Sequence, residues 1–219
     1  MSYDNRKMIF DIKQKGYLKS PELEKALLDL PREKFVSGAL KGFAYKDVPI
    51  SIGHRQTISQ PTTVVIMTEA LKVKSTDKIL EIGTGSGWQS AILSKLTKKN
   101  VYTIERIRSL VNQAKENLKE LRIKNVKISE GDGSNGLKKY APYNKIIITA
   151  ACPEIPKPLL DQLKVGGIMV IPLGDYYSQE MFVITKRTKT KYDKVSIGYF
   201  NFVPLMGKYG FEEKKSTLK

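Results

Sequence analysis

Histidine and cysteine are almost missing from this chain of 219 residues: each occurs once, as His54 and Cys152. A lone cysteine excludes an internal disulfide and a multi-cysteine zinc site, and a lone histidine argues against a cage of imidazole ligands. No metal is expected. Long hydrophobic runs are missing too. No stretch approaches the roughly 18 apolar residues that a membrane-spanning helix needs, and the opening MSYDNRKMIFDIKQKG is charged where a secretory signal would be apolar. The expectation is a cytoplasmic protein with no membrane partner. Acidic residues are scarce against basic ones, 22 to 38, leaving a formal charge of +16. Such an excess can mark a nucleic-acid partner drawn in by phosphate charge. The lysines are dispersed, however, as at Lys95, Lys98 and Lys99, then Lys115 and Lys119, then Lys138 and Lys139. A solvated, lysine-rich surface of the kind common in heat-adapted proteins is the preferred reading, and no specific nucleic acid is expected.

The length allows one sizeable core and is short for two full domains. Ser20, Pro21 and Glu22 read as N-cap, first helical position and first-turn acid, and Leu23, Ala26, Leu27 and Leu30 supply an apolar stripe. The segment before Gly42 is thus a helical extension. Residues 42–60 carry Gly, Pro and Ser without a helical period, and a helix is predicted to start at Pro61 and run through TTVVIMTEALK. Short β-rich runs then alternate with longer helical ones. KILEI, NVYTIE, NVKIS, NKIIITA and GGIMVIPL read as strands, and WQSAILSKLTK, RSLVNQAKENLKEL and PKPLLDQL as helices. This alternation implies βαβ crossovers and an α/β, doubly wound, mostly parallel sheet. MFVITKRT and YDKVSIGYFNFVPL have no helix between them and are predicted to form an antiparallel C-terminal edge.

The run KILEIGTGSGW places Gly83, Thr84, Gly85, Ser86 and Gly87 where a strand opens into a helix, so backbone can approach a ligand at a helix N-terminus. A dinucleotide loop of the G-x-G-x-x-G type needs glycine where Trp88 stands. What remains is an acid, Glu81, ahead of G-x-G-x-G, and a second acid, Glu105, followed by Arg106 at the end of the next strand. A carboxylate there can accept both hydroxyls of a ribose. Asp132, followed by Gly133 after the third strand, can meet an adenine amino group. A ligand with ribose and adenine but no pyrophosphate suits this set, and S-adenosyl-L-methionine is one. Each piece also has a plainer explanation: a tight turn, a helix N-terminal charge, a turn-forming aspartate. Their placement at successive strand ends, where open α/β sheets bind ligands, favours the cofactor.

The acceptor is constrained by what the chain lacks. Base-directed amino-methyltransferases carry an Asn/Asp-Pro-Pro-aromatic run where this chain reads TAACPE, and a cytosine-C5 enzyme carries Cys after Pro, whereas Cys152 precedes Pro153. Cys152 reads as a small buried apolar residue. QTISQP, LEIGTGSGWQSAILS, VYTIER, EGDGSNGLKKYAPYNKIIITAACPEIPKPLLDQLKVGG and VIPLG together resemble the protein-L-isoaspartate (D-aspartate) O-methyltransferase family over nearly the whole chain. The resemblance implies a class I methyltransferase fold, with residues 1–60 as helical extension and active-site loop and 61–219 as the Rossmann-like unit that binds S-adenosyl-L-methionine. It implies Ser59 as the active-site residue and Thr57, Ile58, Ser59 and Gln60 as the segment bordering the cofactor. Glu81, the glycine loop, Glu105, Arg106, Asp132 and Gly133 complete the expected site. The implied partners are damaged proteins or peptides carrying isoaspartyl residues.

The chemistry agrees with the scarcity of bases. The free α-carboxylate of an isoaspartyl residue is ionised at neutral pH, since carboxyls titrate near pH ~4, and so attacks a sulfonium methyl without a general base. In-line positioning then supplies the rate, and a neutral hydroxyl such as that of Ser59 orients the carboxylate without trapping it in an ion pair. An isoaspartyl residue differs from aspartate by one methylene moved into the main chain, so recognition must read backbone. The terminal VSIGYFNFVPL is a candidate strand for that reading.

Overall fold

The computed structural model describes residues 3–212. Residues 1–2 and 213–219, the ends of the two segments assigned above, lie outside the described residues. Helices α1 (Tyr3–Gln14) and α2 (Pro21–Asp29) open the chain. The Ser20 hydroxyl accepts the amide of Leu23 at 3.2 Å, which satisfies one of the unpaired first-turn donors, and Leu23, Ala26 and Leu27 face inward. Their apolar stripe shares one core with Trp88, Ile92, Leu110 and Leu118, so the extension is a wall of the main body.

The stretch read as irregular contains a hairpin, β1 (Ile50–Gly53) against β2 (Gln56–Ile58), with Ile50 opposite Ile58 and Ser51 opposite Thr57. Its two-residue turn holds His54 and Arg55 at φ 51° and 57°. Turns of this hand are usually marked by Asn-Gly or Asp-Gly, and Gly-His-Arg-Gln hides the signal. Helix α3 (Pro61–Leu71) follows as the Pro61 cue predicts.

Then come β3 (Ile79–Ile82), α4 (Trp88–Leu96), β4 (Val101–Glu105), α5 (Arg108–Glu120) and β5 (Val126–Glu130). The second half adds β6 (Tyr143–Ile148), α6 (Lys157–Gln162), β7 (Leu163–Gly174), β8 (Gln179–Lys186) and β9 (Tyr192–Phe200). The sheet order is β5-β4-β3-β6-β7-β8-β9, with β3 to β7 parallel to one another and β8 and β9 added antiparallel, as the alternation and its loss at the tail predict. The last strand stops at Phe200 and does not reach Leu205. The amide of Ala151 donates to Val203 O, and Leu205 N donates back to Ala151 O, both at 2.8 Å. Residues 203–205 therefore leave the sheet and run parallel to the chain at Ala151, just beyond the end of β6. The main-chain groups of Val203 and Leu205 that make these bonds are already taken, which removes them from any peptide-reading edge.

The chain winds outward from β3 to β5 and then returns to the other side of β3 as β6. That reversal opens a crevice at the carboxyl ends of β3, β4 and β6, the place where doubly wound sheets hold ligands.

Candidate active site

The crevice is a cleft of about 920 Å³ including its mouth, within the range of small-molecule sites. Its glycine loop begins at Gly83, whose φ of 93° favours glycine and where a Cβ would stand 2.5 Å from Thr149 Oγ1. The Thr149 hydroxyl in turn shares its one proton between the carbonyls of Ile82 and Gly83, at 3.0 and 2.8 Å, tying the end of β6 to the loop. Glu105 is buried at the end of β4. Its Oε2 accepts the amide of Gly85 and its Oε1 that of Ile107, each at 3.0 Å. Both oxygens are thereby fixed in place, and each keeps acceptor capacity for a hydroxyl.

The opposite wall comes from the hairpin. Thr57, Ile58 and Ser59 line the cleft together with Gly83, Thr84, Gly85 and Ser86 from the loop and Glu105, Arg106 and Gly133 from the ends of β4 and β5. Arg32 fixes this wall from behind. Fully buried, it donates to Ala44 O at 2.6 Å, Val48 O at 3.1 Å, Ile58 O at 3.3 Å and Ser59 O at 2.9 Å. Its guanidinium lies 5.3 Å from the centre of the Trp88 ring. Burial lowers its pKa to about 10, with Asp47 opposing the shift, so it remains a cation at neutral pH.

Four expected site residues do not line the cleft. Gln60 is the N-cap of α3, its carbonyl accepting Val64 N at 3.1 Å. Gly87, at φ 88°, is the N-cap of α4. Asp132 forms its own turn and straps the C-terminal loop. Its Oδ1 accepts the amide and hydroxyl of Ser134, and its Oδ2 accepts Asn135 Nδ2 and Lys208 N. Burial would raise its pKa, but these donors and the charge of Arg106 hold it below the usual carboxylate range.

Glu81 points into the sheet packing, fully buried, with Oε2 accepting from the hydroxyl of Ser90 and Oε1 without a hydrogen-bond partner among the described residues. Burial pushes its pKa up to about 8, Ser90 and Thr103 opposing and Glu105 adding to the rise. A carboxyl whose folded pKa is raised stabilises the fold fully below its ordinary value of 4.5 and loses that contribution as pH climbs through about 8. The loss is on the order of 1.4 kcal/mol per pH unit in that window. Thermal melts at pH 5 and pH 8.5 are expected to show a smaller drop for Glu81→Gln than for the natural chain; parallel drops would exclude Glu81 as the cause.

Sequence reading missed Arg32, Gln89 and Thr149, the last two of which line the cleft, as do Val203 to Met206, whose residues 203–205 were read above as part of an edge strand. Arg32 was hidden among many basic residues, although its place directly after Pro31 at the end of α2 marks a turn where the chain changes direction. Cys152 is wholly buried with its thiol pKa pushed up to about 12 by burial, which makes it inert at neutral pH.

The set fits S-adenosyl-L-methionine: a carboxylate with capacity for two hydroxyls, a loop that lets backbone pass closely, apolar walls at Val64, Met67, Ile104 and Leu205, and a buried, unpaired acceptor on Gln89. Comparison with known proteins points the same way. A protein of Dictyoglomus turgidum named protein-L-isoaspartate O-methyltransferase is 46% identical over 208 residues, covering 95% of this chain and 94% of its own. A solved structure of a protein-L-isoaspartate O-methyltransferase matches with a TM-score of 0.83 at 28% identity, over 94% of this chain and 67% of that one. A Plasmodium falciparum structure described as a protein of the same name, in complex with S-adenosyl-L-homocysteine, shares the fold with a TM-score of 0.81 at 24% identity, over 94% of this chain and 99% of that one. The model of the protein-L-isoaspartate(D-aspartate) O-methyltransferase family matches residues 3–210, and the chain belongs to that family.

Proposed function

We propose that this protein transfers a methyl group from S-adenosyl-L-methionine to the free α-carboxylate of L-isoaspartyl residues in damaged proteins and peptides, among the proteins of the cytoplasm. The observation that carries the reading is that Ser59, Glu105 and the glycine loop line one cleft. The cofactor, when bound, supplies a methyl group on a positively charged sulfur. Glu105 would hold the ribose hydroxyls, and the loop from Gly83 to Ser86 would pass beneath the ligand. Ser59 would orient one carboxylate oxygen of the acceptor, its own backbone held by Arg32. The segment 1–60 serves on this reading as the acceptor-side wall of the Rossmann-like unit 61–219.

The acceptor arrives ionised, so the chain has no proton to remove. Its work is alignment and exclusion of water. Reaction between an anion and a cation gives two neutral products, and an apolar cleft favours that loss of charge. Methyl transfer to an isoaspartyl peptide and not to its aspartyl twin, with the label released as methanol by mild alkali, tests the assignment. Alkali-stable label in RNA with none in the peptide would replace it with a nucleic-acid activity. Ser59→Ala is expected to lower kcat about ten- to a hundredfold with a smaller change in peptide KM, because it loosens geometry more than binding. Steady-state kinetics on the isoaspartyl peptide check this, and full activity would remove Ser59 from the mechanism.

A further inference from the structure

Gln89 lies in the first turn of α4, buried, and lines the cleft. Its partner is Thr68 on α3. The Thr68 hydroxyl donates its single proton to Val64 O at 2.7 Å, so it can only accept from Gln89, and Gln89 Nε2 donates to it at 3.0 Å. This relay fixes the amide. The nitrogen is committed to α3, and Oε1 is turned away from it, buried and without a hydrogen-bond partner among the described residues. A buried acceptor held in one orientation calls for a donor from a ligand.

Resting on the cofactor assignment above, we infer that Gln89 Oε1 receives the α-ammonium of the cofactor's amino-acid arm. With the ribose at Glu105 and the adenine toward Gly133 and Leu205, the arm would cross the glycine loop toward Val64, Met67 and Gln89, which line the same cleft. The arm carries two charged ends. Its carboxylate only accepts and gains nothing from a carbonyl oxygen, whereas its ammonium donates. The acceptor carboxylate of a peptide, arriving beside Ser59, is equally unable to donate. Gln89 is thus a positioning residue that sets where the sulfur arm lies relative to Ser59.

Calorimetry on the full chain with three probes tests this: S-adenosylhomocysteine, the same molecule lacking only its amino group, and 5′-methylthioadenosine, which lacks the whole arm. Gln89→Met keeps the length and removes the acceptor. It should weaken S-adenosylhomocysteine about ten- to a hundredfold while the other two probes bind as they do to the natural chain. Gln89→Glu, which keeps an acceptor that Thr68 can face by turning its hydroxyl, should retain the natural affinity. If Gln89→Met melts early, Thr68→Val, which releases the amide to rotate, should show the same selective loss in weaker form. Equal loss across all three probes would reduce Gln89 to a packing role, and unchanged binding of all three would overturn the inference. A rise in peptide KM with cofactor affinity intact would overturn it too, by placing Oε1 against the acceptor. Failure of the natural chain to bind any of the three probes would overturn the cofactor assignment itself.

Discussion

Arg32→Met is expected to cost the fold about 3–5 kcal/mol and to lower kcat at the same time. The size follows from what is left behind. Removing the guanidinium deprives the carbonyls of Ala44, Val48, Ile58 and Ser59 of a shared donor at the point where the hairpin enters and leaves. Buried carbonyls without a donor carry their full desolvation penalty, and a buried charge network broken on one side falls in this range. The segment that loses its anchor is the one bearing Ser59, so the acceptor wall should loosen even in molecules that stay folded. Arg32→Lys keeps a cation but not the planar fork, and should fall between. Denaturant unfolding and steady-state kinetics on the same samples check this. A loss of stability with kcat unchanged would confine Arg32 to the scaffold, and no loss of stability would contradict the clamp.

Glu105→Ala is expected to weaken S-adenosylhomocysteine binding by about 3–5 kcal/mol, from roughly a hundredfold to a few thousandfold. Two hydroxyls would lose a charged acceptor in a buried setting, and the amides of Gly85 and Ile107, now held by its two oxygens, would lose theirs. The loop that passes under the ligand would therefore relax along with the contact. Glu105→Gln separates the two effects: it keeps one acceptor oxygen but turns an NH2 toward a backbone N–H, so much of the loss should persist. Calorimetry with S-adenosylhomocysteine measures it, with the melting temperature as control. Affinity within threefold of the natural chain would take Glu105 out of the site.

Glu105 and the glycines were legible in the sequence because their placement depends on strand ends, and strand ends follow from the alternation of apolar runs with helical ones. The antiparallel tail was legible for the same reason. Glu81 was not. All four residues of β3 are buried, so the strand has no polar and apolar faces to tell which way an acid points. Asp132 does not line the cleft: the same Asp-Gly-Ser sequence serves a ligand or a turn equally well, and here the turn and the strap to Lys208 engage both oxygens. The hairpin was hidden by a turn built from His54 and Arg55 in a conformation that residue type does not announce. Arg32 lay beyond any local pattern, since the carbonyls it joins come from residues 44, 48, 58 and 59 and meet only in the folded chain.

The sheet ends on one side at β5 and on the other at β9, and both outer strands present charge to solvent: Lys127 and Glu130 on the first, Asp193 and Lys194 on the second. Unpaired strand edges capture extended chains, and charges placed along them discourage it. For most proteins this protects against their own copies. An enzyme that acts on polypeptides meets extended backbone wherever a client is locally unfolded. An uncharged border would invite those clients to add themselves as an extra strand. The charges along both margins work against that capture, most simply on β5, since β9 also exposes Val195 and Tyr199.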